Sequence, residues 1–253
     1  MDGRELIQYK KINGGLDMPY NFCEMYPYEI DYKDLESTLL SFPAHFQTSQ
    51  DKELFCRYIG NWLQVLQESD RTIVKQMATP GMVNKFLQMK VLEIETFQVP
   101  IHLGNNTMFL SFRVSPLRRT LSQQSTKPEN VLISQLLENE KTRWQQEPSL
   151  GLHPVTEPII VVPFPVGNDN QLVIDGNHRL SMLIKQNAKT VPVYSVSSQT
   201  LIMNGFLSSI FELQLYTLII ELRSISVYIN QGVSAEKIIP SSLLYSPTGA
   251  LLF

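Results

Sequence analysis

Apolar residues in the N-terminal region, residues 1–90, recur at helical spacing. Between positions 54 and 66 they form one stripe, which predicts a helix that Ser49 or Asp51 caps. The stripe consists of Leu54, Phe55, Tyr58, Ile59, Trp62, Leu63 and Leu66. A second helix is predicted after Thr79-Pro80, because proline suits the first turn of a helix. We therefore expect residues 1–90 to be mainly helical.

The pattern changes near residue 91, where short apolar segments suit strands better than helices. Residues 91–97 and 108–114 are predicted strands, and Gly104-Asn105-Asn106 between them is a turn signal. The polar segment from Pro116 to Pro128 is predicted to be an exposed loop. A helix is predicted from Glu129 to Trp144, where leucine and isoleucine recur at helical spacing.

Residues 158–196 contain short apolar segments separated by turn signals. We predict a strand, a hairpin turn at Gly167, a second strand, a polar corner, a short helix and a final strand. The predicted strands are Pro158–Phe164, Leu172–Ile174 and Thr190–Val196. The polar corner is Asp175–Arg179, and the short helix is Leu180–Asn187. The corner is predicted to lie at the N-terminus of the short helix.

The C-terminal region, residues 199–253, is apolar at helical spacing. Its predicted interior face consists of Leu207, Ile210, Phe211, Leu215, Leu218, Ile219 and Leu222. The apolar segment Leu201–Ile229 contains Glu212, Glu221 and Arg223, so we predict a core helix and no membrane span. Such helices are also a candidate interface for a homo-oligomer.

The 253-residue chain carries 21 basic and 24 acidic residues, a formal net charge of −3. A dedicated, strongly basic nucleic-acid binder is therefore not expected, although a local basic face remains compatible with this balance. Cys23 and Cys56 form no CxxC pair, which excludes a disulfide framework and a zinc finger as organising features. Because the N-terminus also lacks an apolar signal segment, we expect a reducing, cytoplasmic location.

The polar corner Asp175-Gly176-Asn177-His178-Arg179 combines groups that suit an anion. The first N–H groups of a helix lack intrahelical acceptors and carry the positive end of its dipole, and Gly176 allows close approach to the backbone. Arg179 adds a planar charged fork that matches phosphate, and His178 titrates near neutral pH. Asp175 is a candidate helix cap, a partner that orients His178, and a candidate Mg²⁺ ligand. Together these groups predict a phosphate site.

An ordinary turn is the alternative interpretation, in which Asp175 only caps the helix and Arg179 pairs with a surface carboxylate. The phosphate hypothesis expects Arg179 to point into an open cleft, so that replacing it with alanine changes stability little. Arg118 and Arg119 are interpreted as residues of the solvated loop. Arg113 lies at the end of a predicted strand and is a candidate ligand-binding residue.

Residues 158–196 resemble the core of the ParB N-terminal / sulfiredoxin-like superfamily. The resemblance lies in the DGNHR motif within Ile174–Leu180, in the order of strands and helix, and in Val191-Pro192-Val193 downstream. It implies a mixed-sheet core, which we place at residues 91–198 between the two helical regions. The predicted fold class is α+β, with the three regions packed as one compact unit.

The resemblance implies a nucleotide ligand, either a nucleoside di- or triphosphate, with Mg²⁺ as an accompanying metal. Gly176, Asn177 and His178 would supply backbone donors, and Arg179 would supply the charged clamp. Asp175 and His178 are the candidate catalytic residues of a nucleotide phosphohydrolase or phosphotransferase. The alternative function is a non-catalytic regulatory or DNA-associated module that kept the fold and lost turnover.

Departures from individual branches of the superfamily narrow these expectations. Asn177 stands where sulfiredoxins carry a cysteine, so we expect no sulfiredoxin chemistry, which needs a thiolate. No helix-turn-helix with a basic recognition helix follows the core, which disfavours site-specific DNA binding. Glu157, directly before the first core strand, is a candidate general base or metal ligand, or else an exposed strand flank.

Overall fold

The computed structural model of the chain describes residues 20–21, 26–42, 46, 48–77, 95–138, 142–146, 157–164, 166–167 and 169–246. It contains both helices and sheets, which confirms the α+β class. The chain divides into two compact units. The first comprises residues 1–113 and 207–253, and the second, the inserted unit, comprises residues 114–206.

The described helices are α1 (Tyr32–Leu40), α2 (Ser49–Met77), α3 (Val114–Gln123), α4 (Ile133–Leu136), α5 (Asn177–Lys185), α6 (Ser198–Met203), α7 (Ile210–Asn230) and α8 (Ala235–Ile238), followed by a 3-10 turn at Ile239–Ser241. The described strands are β1 (Tyr20–Asn21), β2 (Tyr26–Pro27), β3 (Thr96–Leu103), β4 (Asn106–Arg113), β5 (Glu129–Leu132), β6 (Thr142–Arg143), β7 (Ile159–Pro163), β8 (Gln171–Asp175) and β9 (Thr190–Ser195). Among the described helices, none combines the length and the apolar character that crossing a bilayer requires.

In the first unit, α2 and α7 pack against each other beside the antiparallel hairpin of β3 and β4. The predicted stripe on α2 is largely buried, which confirms this helix as part of the core. Its cap differs from the prediction, because the side-chain oxygen of Thr48 accepts a hydrogen bond from Asp51 N–H at 3.0 Å. The helix predicted after Thr79-Pro80 lies outside the described residues, as does Cys23. Cys56 is a free, partly buried thiol on α2.

Buried carboxylates join the two separate chain segments of the first unit. Glu221 on α7 accepts hydrogen bonds from the hydroxyl of Tyr58 at 2.8 Å and from the hydroxyl of Ser242 at 2.6 Å. Asp51 accepts a hydrogen bond from Ala235 N–H, at the start of α8, at 2.7 Å. Glu221, one of the acids that argued against a membrane helix, thus serves as an internal hydrogen-bond acceptor in the core.

The chain leaves the first unit and rejoins it at neighbouring positions. Phe112 on β4 pairs with Leu207 in an antiparallel bridge, and Ser208 N–H donates to the carbonyl oxygen of Ser111 at 2.9 Å. The buried carboxyl of Glu212 accepts from the Ser111 hydroxyl at 2.9 Å and from Ser208 N–H at 3.1 Å. One acid at the start of α7 therefore holds the two connections together.

The inserted unit is built on a mixed sheet with strand order β5-β9-β7-β8-β6. β7 runs parallel to β9 and antiparallel to β8, and its residues Ile159–Val162 are buried. Helix α5 connects β8 to β9 and contributes Leu180 and Leu183 to the same core. This order confirms the strands, the corner and the short helix predicted for residues 158–196.

Two predictions for the start of the inserted unit were wrong. Residues 114–123 form α3 where a loop was predicted from Pro116, because Val114, Leu117 and Leu121 are spaced along one helical face and are buried. The helix predicted from Glu129 to Trp144 is replaced by the strand β5, the short helix α4 and the strand β6. β5 satisfies its backbone by pairing with β9, a partner that local spacing does not reveal.

The two compact units also differ from the three segments expected from the sequence. The hairpin of β3 and β4, grouped with the mixed sheet in the sequence analysis, belongs to the first unit together with the terminal segments. The first strand of the hairpin, β3, runs from Thr96 to Leu103, so the strand predicted at residues 91–97 overlaps it only at residues 96–97 within the described residues. Local strand patterns indicated the hairpin correctly but did not show which core it joins.

We predict that the stability of the protein falls as the pH rises from about 4.5 to about 8, because of the Glu212 carboxyl. Burial raises the pKa of the Glu212 carboxyl from 4.5 to about 8, so folding favours its neutral form. Between pH 4.5 and about pH 8, the folded state keeps a proton that the unfolded chain has lost. The neutral Glu212 carboxyl therefore stabilises the fold fully only below pH 4.5, and this stabilisation is lost as the pH rises to about 8. Urea unfolding at a series of pH values measures this dependence.

Glu212→Gln provides the control, because the amide has the shape of the neutral acid and does not ionise. Its stability should change less with pH than that of the native chain, and it should be the more stable of the two above about pH 8. The same pH dependence in both proteins would contradict the assignment.

Candidate anion site

The polar corner lies where β8 ends at Asp175 and α5 begins at Asn177. The residue between them, Gly176, has φ 88° and ψ 21°, in the left-handed region. A Cβ atom at this position would lie 2.5 Å from Cγ2 of Ile159 and 3.0 Å from Nη2 of Arg179. Both the backbone conformation and the lack of space therefore require glycine here.

The first hydrogen bond of α5 runs from Leu180 N–H to the carbonyl oxygen of Gly176, at 2.9 Å. The N–H groups of Asn177, His178 and Arg179 precede this bond and have no acceptor in the preceding turn. They carry the positive end of the helix dipole. This part of the predicted anion site follows from the position of the helix start.

Asp175 contacts two arginines through a single oxygen, which accepts hydrogen bonds from Arg118 and forms an ion pair with Arg179. Its Oδ2 lies 2.7 Å from Nη2 and 3.2 Å from Nε of Arg118, and 3.1 Å from Nη2 of Arg179. The Asp175 side chain is only 8% exposed, whereas that of Arg118 is 43% exposed. The carboxylate therefore holds two guanidinium groups side by side, one of them open to solvent.

Arg179 is largely buried, which makes the expectation of an open cleft wrong. Its side chain is 14% exposed, and besides Asp175 it contacts Oε2 of Glu157 and the carbonyl oxygen of Pro158, each at 3.1 Å. Its Nε is buried without a hydrogen-bond partner. The ion pair with Glu157 matches the alternative interpretation, but the buried pair with Asp175 makes Arg179 part of the internal structure as well.

The side chain of Asn177 faces the interior of the unit. Its Oδ1 accepts from Gln145 N–H at 2.9 Å, and its Nδ2 donates to the carbonyl oxygen of Val173 at 3.2 Å. Only the backbone of Asn177 is therefore placed for a ligand at the corner. His178, the second residue of α5, is exposed.

The other arginines considered for the site, Arg113, Arg118 and Arg119, lie in different parts of the structure. Arg113 is the last residue of β4 and belongs to the first unit, whereas the corner belongs to the inserted unit. Arg118 was interpreted as a loop residue and was therefore missed. The burial of Val114, Leu117 and Leu121 fixes helix α3, and Arg118 on this helix reaches Asp175. Arg119, its neighbour, is exposed.

The carboxylates at the corner do not suit a divalent metal ion as ligands. Asp175 and Glu157, the carboxylates present, each contact a guanidinium group, whose positive charge opposes a bound cation. Within the described ranges, no group of three or more histidine, cysteine, aspartate or glutamate residues is placed to hold a metal. The arrangement suits an anion better than Mg²⁺.

No protein-family model, no curated protein and no solved structure matches this chain.

We predict that Gly176→Ala destabilises the inserted unit more than Gly167→Ala does. Both glycines have positive φ, so each alanine meets backbone strain of roughly 1–2 kcal/mol. A Cβ at Gly176 also collides with Ile159, while one at Gly167 has no atom within 4 Å. Denaturant unfolding of both variants compares the two effects. Equal losses of stability would show that the close approach to Ile159 is not a constraint.

We also predict that Arg179→Ala lowers the free energy of unfolding by roughly 1.5–3 kcal/mol, the range for hydrogen bonds to charged groups. The largely buried contacts with Asp175 and Pro158 carry this loss, because the exposed pair with Glu157 contributes little. Arg179→Lys should restore only part, since an ammonium lacks the planar fork. Arg119→Ala, at an exposed position, is the control. If Arg179→Ala unfolds with the same free energy as the native chain, Arg179 does not stabilise the fold through its buried contacts.

Proposed function

We propose that the inserted unit binds a phosphate-bearing ligand at the Asp175–Arg179 corner, and that this ligand is a nucleoside di- or triphosphate. The observation that carries the proposal is the meeting of two guanidinium groups on Asp175 beside the start of α5. Guanidinium forks and helix N-termini both favour phosphate, and here they are adjacent.

Each group has a distinct part in the proposed site. Arg118 pairs with Asp175 and is 43% exposed, whereas Arg179 is 14% exposed, so Arg118 is the more accessible of the two guanidinium groups. Gly176 brings the backbone close to the ligand, and the N–H groups of the first turn of α5 add donors. His178 is the exposed titratable group of that turn.

The order of elements in residues 158–196 supports a nucleotide as the ligand. A strand, a hairpin, a strand, a glycine corner, a helix and a strand follow one another, as the resemblance to the ParB N-terminal / sulfiredoxin-like superfamily implies. The superfamily places nucleotide phosphates at this corner. Membership is part of the proposal, and so is the nucleotide.

A binding module without turnover is the second candidate function, and one observation favours it. The Oδ2 atom of Asp175 is occupied by two guanidinium groups, so this carboxylate is committed to internal ion pairs. A phosphohydrolase or phosphotransferase would therefore depend on His178 for proton transfer. Measurement of phosphate release from nucleoside triphosphates, with His178→Gln as the comparison, separates turnover from binding.

We predict that Arg118→Ala weakens phosphate binding by roughly ten- to a hundredfold, because it removes a charge-assisted contact. Arg119→Ala is the matched control, since it removes the same charge from the neighbouring exposed position. A thermal-shift screen of nucleoside di- and triphosphates, with and without Mg²⁺, identifies the ligand through the stability that binding adds. Calorimetry then gives the affinities of the two variants.

Two results would contradict the proposal. One is that no nucleotide and no pyrophosphate raises the unfolding temperature or gives a binding isotherm. The other is native affinity in Arg118→Ala for a nucleotide that does bind.

A further inference from the structure

One side of Arg179 is occupied by an anion that belongs to the protein. The Nη1 group of Arg179 donates to Oε2 of Glu157 at 3.1 Å, while Nη2 contacts Asp175 and the Pro158 carbonyl oxygen. The Glu157 side chain is 64% exposed, whereas that of Asp175 is 8% exposed. Glu157 is therefore the partner of Arg179 that lies in contact with solvent.

The contact with Glu157 is also the one most easily exchanged. An ion pair with such an exposed partner contributes little net stability, because water competes for the carboxylate and the long side chain loses freedom. The partners on the Nη2 side are held by the sheet and by its flanking segment. Arg179 thus has a fixed side and an exchangeable side.

We infer that Glu157 is an internal competitor of the ligand: its carboxylate occupies the edge of Arg179 that a phosphate oxygen would take, and a ligand must displace it. The inference rests on the proposed function. Two anions on the same donor repel each other, so phosphate and Glu157 exclude one another there.

Displacement of a carboxylate also determines which phosphates bind well. A phosphodiester carries one negative charge and only replaces the charge of Glu157. A terminal phosphate or a pyrophosphate carries more than one charge, and the two guanidinium groups gain attraction from the exchange. Ligands that end in a phosphate monoester or a pyrophosphate therefore displace Glu157 more readily than phosphodiesters do.

Glu157→Gln tests the competitor role, because it keeps the shape of the side chain and removes its charge. Glu138→Gln is the matched control, since Glu138 is another exposed acid of the inserted unit. In calorimetric titrations with inorganic pyrophosphate, we expect Glu157→Gln to bind about two- to fivefold more tightly than the native chain. Glu138→Gln should match the native chain, and added salt should reduce the gain.

A second titration, with dimethyl phosphate, separates displacement from simple charge repulsion. Because both ligands must displace the same carboxylate, Glu157→Gln should raise the two affinities by similar factors. A gain for the more highly charged pyrophosphate alone would indicate repulsion at a distance and would overturn displacement.

Failure of the competitor role and failure of the proposed site give different results. If the native chain binds pyrophosphate and Glu157→Gln binds it no better, the competitor role is overturned and the site remains. If neither the native chain nor Glu157→Gln binds pyrophosphate, both the site and the competitor role are overturned.

Discussion

The carboxylate of Asp175 is the interaction on which the candidate site depends. It ends β8, receives Arg118 from α3 and receives Arg179 from α5, so one buried oxygen connects three elements. Two guanidinium groups at this distance would repel each other without an anion between them. Asp175 therefore allows positive charge to accumulate at a helix N-terminus, where the dipole alone would disfavour it.

This arrangement also explains why the same residues contribute both to the stability of the unit and to the candidate binding site. The pair between Asp175 and Arg179 is largely buried, and its loss would leave a charged group without its partner inside the unit. Arg118 is partly exposed, and the exposed Glu157 pairs with Arg179. The site thus combines buried contacts that the fold holds in place with exposed contacts that a ligand can replace.

Sequence reasoning located the corner but not all of its partners. Short apolar segments bounded by turn signals indicated β7, β8 and β9, and the burial of β7 and β8 along most of their length explains their apolar character. Helix α3 was missed because polar residues outnumber the apolar ones that face the core, and Arg118 was missed with it. β5 depends on pairing with β9, which is a tertiary property that no local spacing records.

The discontinuity of the first unit has a consequence for synthesis on the ribosome. The inserted unit is contiguous and emerges whole, whereas α2 and the hairpin of β3 and β4 must wait for α7 before their apolar faces are covered. A nascent chain thus exposes those faces until α7 has been synthesised, and exposed apolar surface of this kind favours aggregation during that interval. Once folded, the insert shortens the effective loop between residues 113 and 207, and so lowers the entropy cost of bringing α7 onto the waiting half.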